Sequence, residues 1–564
     1  MNSQSKFLTL PPELREHAVV EMQPADLLSL SQTCKELRQF TSSKRIWVTA
    51  LRSMCRKYGL FEPSFPDESM ELVDIQRAAL GPALWHRRIT ELTDQPGAND
   101  DTETSGLQPR TRMTIKFESE DVPDLEDLLS FFCQIHLVPG GRWLFGLAFA
   151  CIVLMDLGLV GGPAELKGFT HSDVLDEDNG WRFERMFEPV QYRAASDDLN
   201  KEKCKDTLRF AALVIDPNHL FWLHVYEVGP LPDDPSIRLL AKTKVYGLQN
   251  LSIFGDMLFL KFEKTLVVWD YIRCLSASWT AEISGIVKFA KIRDWVIGTT
   301  TTGVCGWRIP TLEDMGKDDI LGDPGAPNSS TPHFQIELDE DALPEVYSEQ
   351  GFALSTWWQA HHHHEIERGG CTSRACLEVS IVYHVLGTSS GWDLESLEEM
   401  DLWRYDLGLH IPDNHDPSDP VDITEFVQCN IWFAACTFPE MIGLNHHGEV
   451  DFPRIPHHSL YDDSGVEYAL FMMTHRRTAQ LLYSPLSLGK AKAKKEGRGV
   501  DDVGDDSVTK WDIIDIEHEE GHPVKSATLC PWSGRMAYIC DDELHEGDDP
   551  YPIHVLDFFG EGGK

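Results

Sequence analysis

Residues 10–37 read LPPELREHAVVEMQPADLLSLSQTCKEL, and how this stretch is read decides the architecture of the rest. Pro11-Pro12 suits a helix start, because proline's fixed φ fits the first turn and its missing N–H costs nothing there. Leu14, Ala18 and Met22 then recur at i, i+4 and i+8, one face of a helix. Pro24 ends that pattern, and Asp26 sits near the start of a second helical stretch. In it Leu27, Leu30, Cys34 and Leu37 follow at spacings of three, four and three, another single apolar face. Ser42 or Ser43 can cap a further helix whose buried stripe is Ile46, Trp47, Ala50, Leu51 and Met54.

A unit of this size is marginal by itself, since below roughly 40–60 residues a core without disulfide or metal commonly leans on a partner. Leu10, Leu27 and Leu28 lie beside the stripes rather than within one core, which predicts an interaction surface as well as a fold.

Working outward, DESMELVDIQRAALGPALWHRRITEL (67–92) predicts one more helix, or two interrupted at Gly81-Pro82. The stretch DQPGANDDTETSGLQPR (94–110) has no apolar periodicity and predicts a linker or mobile loop. From residue 111 onward, short runs of Val, Ile, Leu, Phe, Tyr and Trp alternate with turn clusters. Several runs close on a polar residue: IVLMDLG to Gly158, LVVWDYI to Ile272, VCGWRIP to Pro310, LWRYDLG to Gly408 and IHVLDFF to Phe559. About 40 residues separate Asp270 from Arg308, the length of one four-stranded blade, and VVWD (267–270) resembles the end of a WD-type blade. The expected fold is therefore α+β and multidomain: a small helical unit, then a mostly-β domain, best read as a β-propeller of about six to eight blades. A β-sandwich or two β-domains is the alternative. The expected divisions are a helical domain at 8–54, a helical linker at 55–93, a flexible linker at 94–110 and the propeller-like domain at 111–564. Insertions at 312–332 and 488–508 are expected as rim loops.

The chain of 564 residues carries 91 acidic against 50 basic side chains, a formal charge of −41. That balance argues against general binding to nucleic acid or to an anionic membrane, both of which need a basic face. The longest apolar run, WLFGLAFACIVLM (143–155), is too short for a spanning helix, which needs about 20 residues, and is expected to be a buried segment. MNSQSKF has no apolar core of the kind a secretory signal needs, and the 13 cysteines show no regular spacing. Reduced thiols in cytoplasm or nucleus are the expectation.

Several strings mimic chemistry. His518-Glu519-Glu520-Gly521-His522 matches HExxH, but it contains glycine, precedes Pro523 and follows an alternating strand, so a turn is expected instead of a zinc site. Gly387-Thr388-Ser389-Ser390-Gly391 matches GxSxG, yet the chain lacks the strand–helix alternation of a hydrolase sheet. His361 to His364 with Cys371 and Cys376 fit no common zinc spacing, and His446-His447 and His457-His458 read as loop residues. GKAKAKKEGRG from Gly489 reads as a charged loop. No catalytic residue, metal site or cofactor is expected.

The pattern LPPEL, a short helix, ADLLSLSQTCKEL and then RIW resembles the F-box, the helical motif that docks a protein onto the Skp adaptor of SCF cullin–RING ubiquitin ligases. The resemblance covers Leu8 to Met54. It implies adaptor contacts by Leu10, Pro11, Leu14, Val19, Leu27, Leu28 and Leu30. It also implies a motif core of Met22, Cys34, Leu37, Ile46, Trp47 and Leu51. Arg15, Ala18 and Val19 stand where many F-boxes carry larger apolar residues. The stretch after 67 and HLVPGGRWLFG (136–146) are similar to large F-box proteins of mushroom-forming fungi. The function this implies is delivery of an unknown target protein to a cullin through the Skp adaptor. A scaffold that binds the adaptor without delivering targets for ubiquitination is the alternative.

Overall fold

The structure, a computed structural model, describes residues 7–93 apart from 8 and 21, 107–117, 132–161, 165–175, 180–192 apart from 188, 206–280, most of 288–321, the strands between 332 and 516, and 524–540 and 552–559. Five helices come first: α1 (Pro12–Val20), α2 (Pro24–Thr33), α3 (Lys35–Thr41), α4 (Lys44–Tyr58) and α5 (Leu72–Thr93). Among the described residues, strands follow from Thr111 onward.

Local chemistry sets the helix boundaries. Pro24 opens α2 at a position where no N–H is required. The expected single stretch from Leu27 to Leu37 is divided at Cys34, whose extended backbone (φ −155°, ψ 166°) separates α2 from α3. Ser43 holds the N-cap position of α4 without a side-chain bond, while Ser42 Oγ donates back to the Arg38 carbonyl at 2.6 Å. Gly59 ends α4 at φ 64°, a left-handed conformation that glycine adopts without strain. Helix α5 runs unbroken through Gly81-Pro82, where an interruption was one of the two expectations. An ideal Cβ at Gly81 would stand 2.1 Å from the Trp532 carbonyl oxygen, so the missing side chain lets α5 close directly onto the β-domain.

The β-domain contains seven sheets of four or more strands among the described residues, antiparallel apart from one edge pair and arranged as consecutive meanders. The first runs from Phe132 to His171, the second from Arg182 to Val245, the third from Asn250 to Thr280 and the fourth from Lys288 to Glu337. The fifth spans Gln359 to Trp432 and the sixth His457 to Ile516. The seventh is built from Val524–Cys530, Arg535–Cys540 and Ile553–Asp557, and its fourth strand is Thr111–Ile115, the first strand of the domain. Thr111 pairs with Asp557 and Ile115 with Ile553, so the start of the domain is stitched onto its end. Successive meanders closed in this way have the arrangement of a β-propeller. The 312–332 insertion is more than a loop: Ile320–Leu321 adds a parallel edge strand to the second sheet and Glu313–Asp314 an edge to the third.

The strand-ending aspartates explain the recurring sequence pattern. Asp156, Asp270 and Asp557 each end the third strand of a sheet, and each carboxylate accepts a backbone N–H two residues on, from Gly158, Ile272 and Phe559. The apolar residues before them are buried strand, and the aspartate turns the chain. The run from Trp143 to Met155 is a buried hairpin broken by the exposed Phe149. No helix among the described residues is long and apolar enough to cross a membrane.

Candidate adaptor-docking face

One continuous apolar core joins the helices to the first and seventh sheets. It runs from Val19, Leu27, Trp47 and Met54 through Ile75, Trp85 and Ile89 to Leu144, Tyr538 and Phe559. Trp47 Nε1 donates to the Thr41 carbonyl at 2.8 Å, locking α4 against the end of α3. Lys44 Nζ donates to the Met70 carbonyl at 2.8 Å, and Arg52 pairs with Asp67 at 2.8 Å, tying α4 to the approach to α5.

Polar contacts then bolt the helices to the sheets. Arg88 donates to the Phe558 carbonyl at 3.0 Å and to the Gln108 carbonyl at 2.5 Å, and Arg77 to the Gly161 carbonyl at 3.1 Å. The Phe61 N–H donates to the Pro139 carbonyl at 2.9 Å. Trp85 meets Phe558 and Phe559 edge-on, and Tyr58 packs on Trp532 at 5.7 Å. Burial pushes the thiols of Cys55 and Cys530 up, keeping both as small neutral core groups. The helical module and the β-domain are one packed body. Leu107, in the expected flexible linker, is fully buried in that body. The leading expectation gave the helices an outward docking role rather than this joint, although Gly81 and Arg88 on an otherwise amphipathic helix were its visible traces.

The outer face of the helices is different. Leu14 is 55% exposed, Leu10 37% and Leu28 38%, with Pro11 and Ala18 also in solvent. The hydroxyls of Ser29, Ser31 and Thr33 are engaged by carbonyls of α2 itself, so the surface around Leu28 offers few free donors. Arg15 lies over the Phe40 ring at 5.2 Å, Phe7 meets Phe40 edge-on, and Glu16 pairs with Arg45 at 2.9 Å. These contacts hold α1 while leaving Leu14 free.

The structure separates the residues expected at the adaptor surface into two groups. Leu10, Pro11, Leu14 and Leu28 are exposed and Leu30 is half-buried, packed against the core. Val19 and Leu27 are fully buried, contrary to their expected place on the surface. For Val19 the physical reason is the phase of α1, and Leu27 joins the same core from α2. The inward residue of α1 is Val19, so Leu14 and Ala18 point outward and Met22 is only half-buried, which reverses the expected stripe. Of the expected core, Leu37, Ile46, Trp47 and Leu51 are buried, and Cys34 is half-buried.

Residues 7–49 match the F-box domain. The chain carries an F-box. No curated protein matches it. Among solved structures it is similar to the N-terminal domain of Nup159, with 9% identity over 81% of this chain and 97% of that one, at a TM-score of 0.29. It is also similar to Drosophila plexin A in complex with semaphorin 1b, with 8% identity over 80% and 88% and a TM-score of 0.34. Kluyveromyces lactis Hsv2p follows, with 6% identity over 64% and 72% and a TM-score of 0.24.

The chemistry-like strings fall elsewhere. His518 to His522, Thr388 to Gly391, His361 to Cys371, His446-His447 and the basic run from Gly489 lie outside the described residues, as do the side chains of Cys376, His457 and His458. Among the described residues no three His, Cys, Asp or Glu side chains group as metal ligands.

Proposed function

We propose that this F-box protein is the target-recognition subunit of an SCF-type cullin–RING ubiquitin ligase. Its helical module captures the Skp adaptor, and through it a cullin, while the β-domain holds a target protein. The observation that carries this reading is the outward face of Leu10, Leu14 and Leu28 on an F-box whose inner face is already consumed by the protein's own core. Leucines exposed on a small, otherwise well-packed module mark a surface built to be covered.

The chain does no bond chemistry in this reading. It raises the effective concentration of a target lysine beside a ubiquitin thioester carried elsewhere in the complex. The shared core and the backbone-directed arginines support the reading, because proximity is useful only if target and adaptor are held at fixed separation. The cytoplasm, the nucleus or both is the proposed location.

Co-purification tests it. Full-length wild type is expected to capture the Skp adaptor together with a cullin, and Leu14→Asp to lose both while keeping its melting temperature, since an interface carboxylate without a partner costs several kcal/mol of binding. Adaptor capture without cullin assigns the chain to a scaffold that delivers no target. Equal capture by wild type and folded Leu14→Asp refutes the docking face.

A further inference from the structure

The exposed leucines depend on a helix that has little to hold it. Helix α1 is nine residues long, shorter than the roughly 12–15 residues an isolated helix needs to persist in water. Among its described side chains only Val19 is buried, and the half-buried Met22 packs just beyond its end. The Glu16–Arg45 ion pair adds little, because the Arg45 side chain is 80% exposed and pairs of that kind are screened by water and salt. Leu14 faces solvent and contributes no burial until a partner covers it.

Phe40 supplies the missing hold. Its ring stands in the last turn of α3, half-buried and packed against the core that the helices share with the β-domain. The backbone around it is fixed. Thr41 is buried and its carbonyl accepts Trp47 Nε1 at 2.8 Å, while the Ser43 N–H donates to the Phe40 carbonyl at 3.3 Å. Two groups from one stretch of chain reach this ring. Phe7 meets it edge-on at 71° with centroids 6.5 Å apart, and the Arg15 guanidinium stands 5.2 Å from its centroid.

The two anchors bracket the docking residues. Leu10, Pro11 and Leu14 all lie between Phe7 and Arg15, and all three are exposed. The Leu10 N–H donates to the Phe7 carbonyl at 3.2 Å and the Arg15 N–H to the Pro11 carbonyl at 3.1 Å, so the bracketed segment is a turn run directly into a helix. Arg15 has no ion pair among the described residues, and its Nε is buried without a hydrogen-bond partner among them. The aromatic face is what offsets that desolvation.

We propose that Arg15 and Phe40 are positioning residues for adaptor docking. The cation–π contact, with Phe7 on the same ring, staples residues 7–15 to α3 and holds Leu10, Pro11 and Leu14 in their presented arrangement before a partner arrives. This rests on the reading of the helical module as an adaptor-binding unit. A partner that needs the seated segment binds with its intrinsic constant divided by the seated fraction, so loosening the staple weakens binding without deleting a contact. Neither side chain has to touch the adaptor.

Hydrogen exchange on the free full-length chain, with affinity for the Skp adaptor measured on the same samples, tests this. Arg15→Met keeps an unbranched stem and removes the charge, whereas Phe40→Leu keeps an apolar side chain and removes the aromatic face. Each is expected to speed exchange over α1, to leave exchange over α4 near wild type, and to weaken adaptor binding about threefold to tenfold, the range of a half-buried cation–π contact. The double variant should lose less than the product of the two single losses, because one contact is removed either way. Phe40→Tyr keeps the aromatic face and should retain wild-type exchange and affinity. Weaker binding by Arg15→Met with Phe40→Leu unaffected makes Arg15 an adaptor contact and overturns the proposal. Unchanged exchange over α1 in both variants, or fully multiplicative losses, overturns it as well. Wild type that captures no adaptor overturns the docking role together with the ligase reading, whereas capture by wild type and by both variants with equal affinity overturns the staple alone.

Discussion

Arg535 donates to Asp557 across 3.0 Å with both side chains 1% exposed, between the second and third strands of the sheet that closes the β-domain. The same guanidinium donates to the carbonyls of Gly141, Gly158 and Leu159 at 2.7, 3.0 and 3.2 Å, all in turns of the first sheet. Asp557 in turn accepts the N–H groups of Gly161 and Phe559. The pair is a latch between the last sheet and the first, beneath the helical module.

Removing one partner of a buried ion pair leaves an uncompensated charge, at a cost of about 3–5 kcal/mol. Arg535→Met and Asp557→Leu are each expected to lower stability on that scale in urea denaturation followed by circular dichroism. Arg535→Lys should fail as well, because an ammonium on a shorter fork cannot reach three carbonyls and a carboxylate at once. The double variant should lose less than the sum of the two singles. Full additivity would show that the residues do not act as a pair.

Gly81 sets two effects against each other. Alanine at an exposed helix position gains roughly 1 kcal/mol of propensity over glycine. Here its Cβ would meet the Trp532 carbonyl oxygen, a backbone atom that cannot swing aside, and overpacking costs about 1–3 kcal/mol. Steric conflict wins, so Gly81→Ala should destabilise the protein despite improving the helix. Protease cleavage near α5 should accelerate, which reads the loosened joint directly.

How far the sequence disclosed this structure depends on the range of the interactions involved. The F-box was legible because its signals are local: prolines at helix starts and a leucine pattern within a few turns. The alternation of strands was legible for the same reason, down to Asp156, Asp270 and Asp557 closing their strands. The phase of α1 was not, because Leu14 and Val19 are both apolar and only the α4 surface decides which one turns inward. The joint was hidden for a different reason. Gly81 answers to Trp532, and Arg88 to Phe558, across most of the chain, and nothing near either residue in sequence announces its partner.

That reversal of α1 gives a sharp contrast between neighbouring leucines and valines. Leu14→Asp should leave the melting temperature near wild type and abolish adaptor capture. Leu27→Ala and Val19→Ala should do the opposite, with Leu27→Ala costing about 2–5 kcal/mol as buried leucine truncations do. Adaptor capture by the folded fraction of Leu27→Ala should persist at low temperature. If Leu27→Ala is as stable as wild type yet captures nothing, Leu27 is a contact residue and the burial argument is wrong.

His224 couples stability to pH within the second sheet. Its ring is buried on the second sheet, Nδ1 lies 3.1 Å from the Tyr226 hydroxyl, and Nε2 has no hydrogen-bond partner among the described residues. Burial first, and then the Lys242 ammonium, pull its pKa down to about 4. The unfolded chain takes up a proton near pH 6.5, whereas the folded one does so only near 4. Between those values the unfolded state binds more protons, so stability falls as pH falls through this window and the loss is complete below about 4. His224→Gln should therefore flatten the dependence of the urea midpoint on pH between neutrality and the lower value. Lys242→Glu removes the second cause and should raise the histidine pKa in an NMR titration. Identical pH slopes for wild type and His224→Gln would mean that the acid sensitivity of this fold is carried by its carboxylates instead.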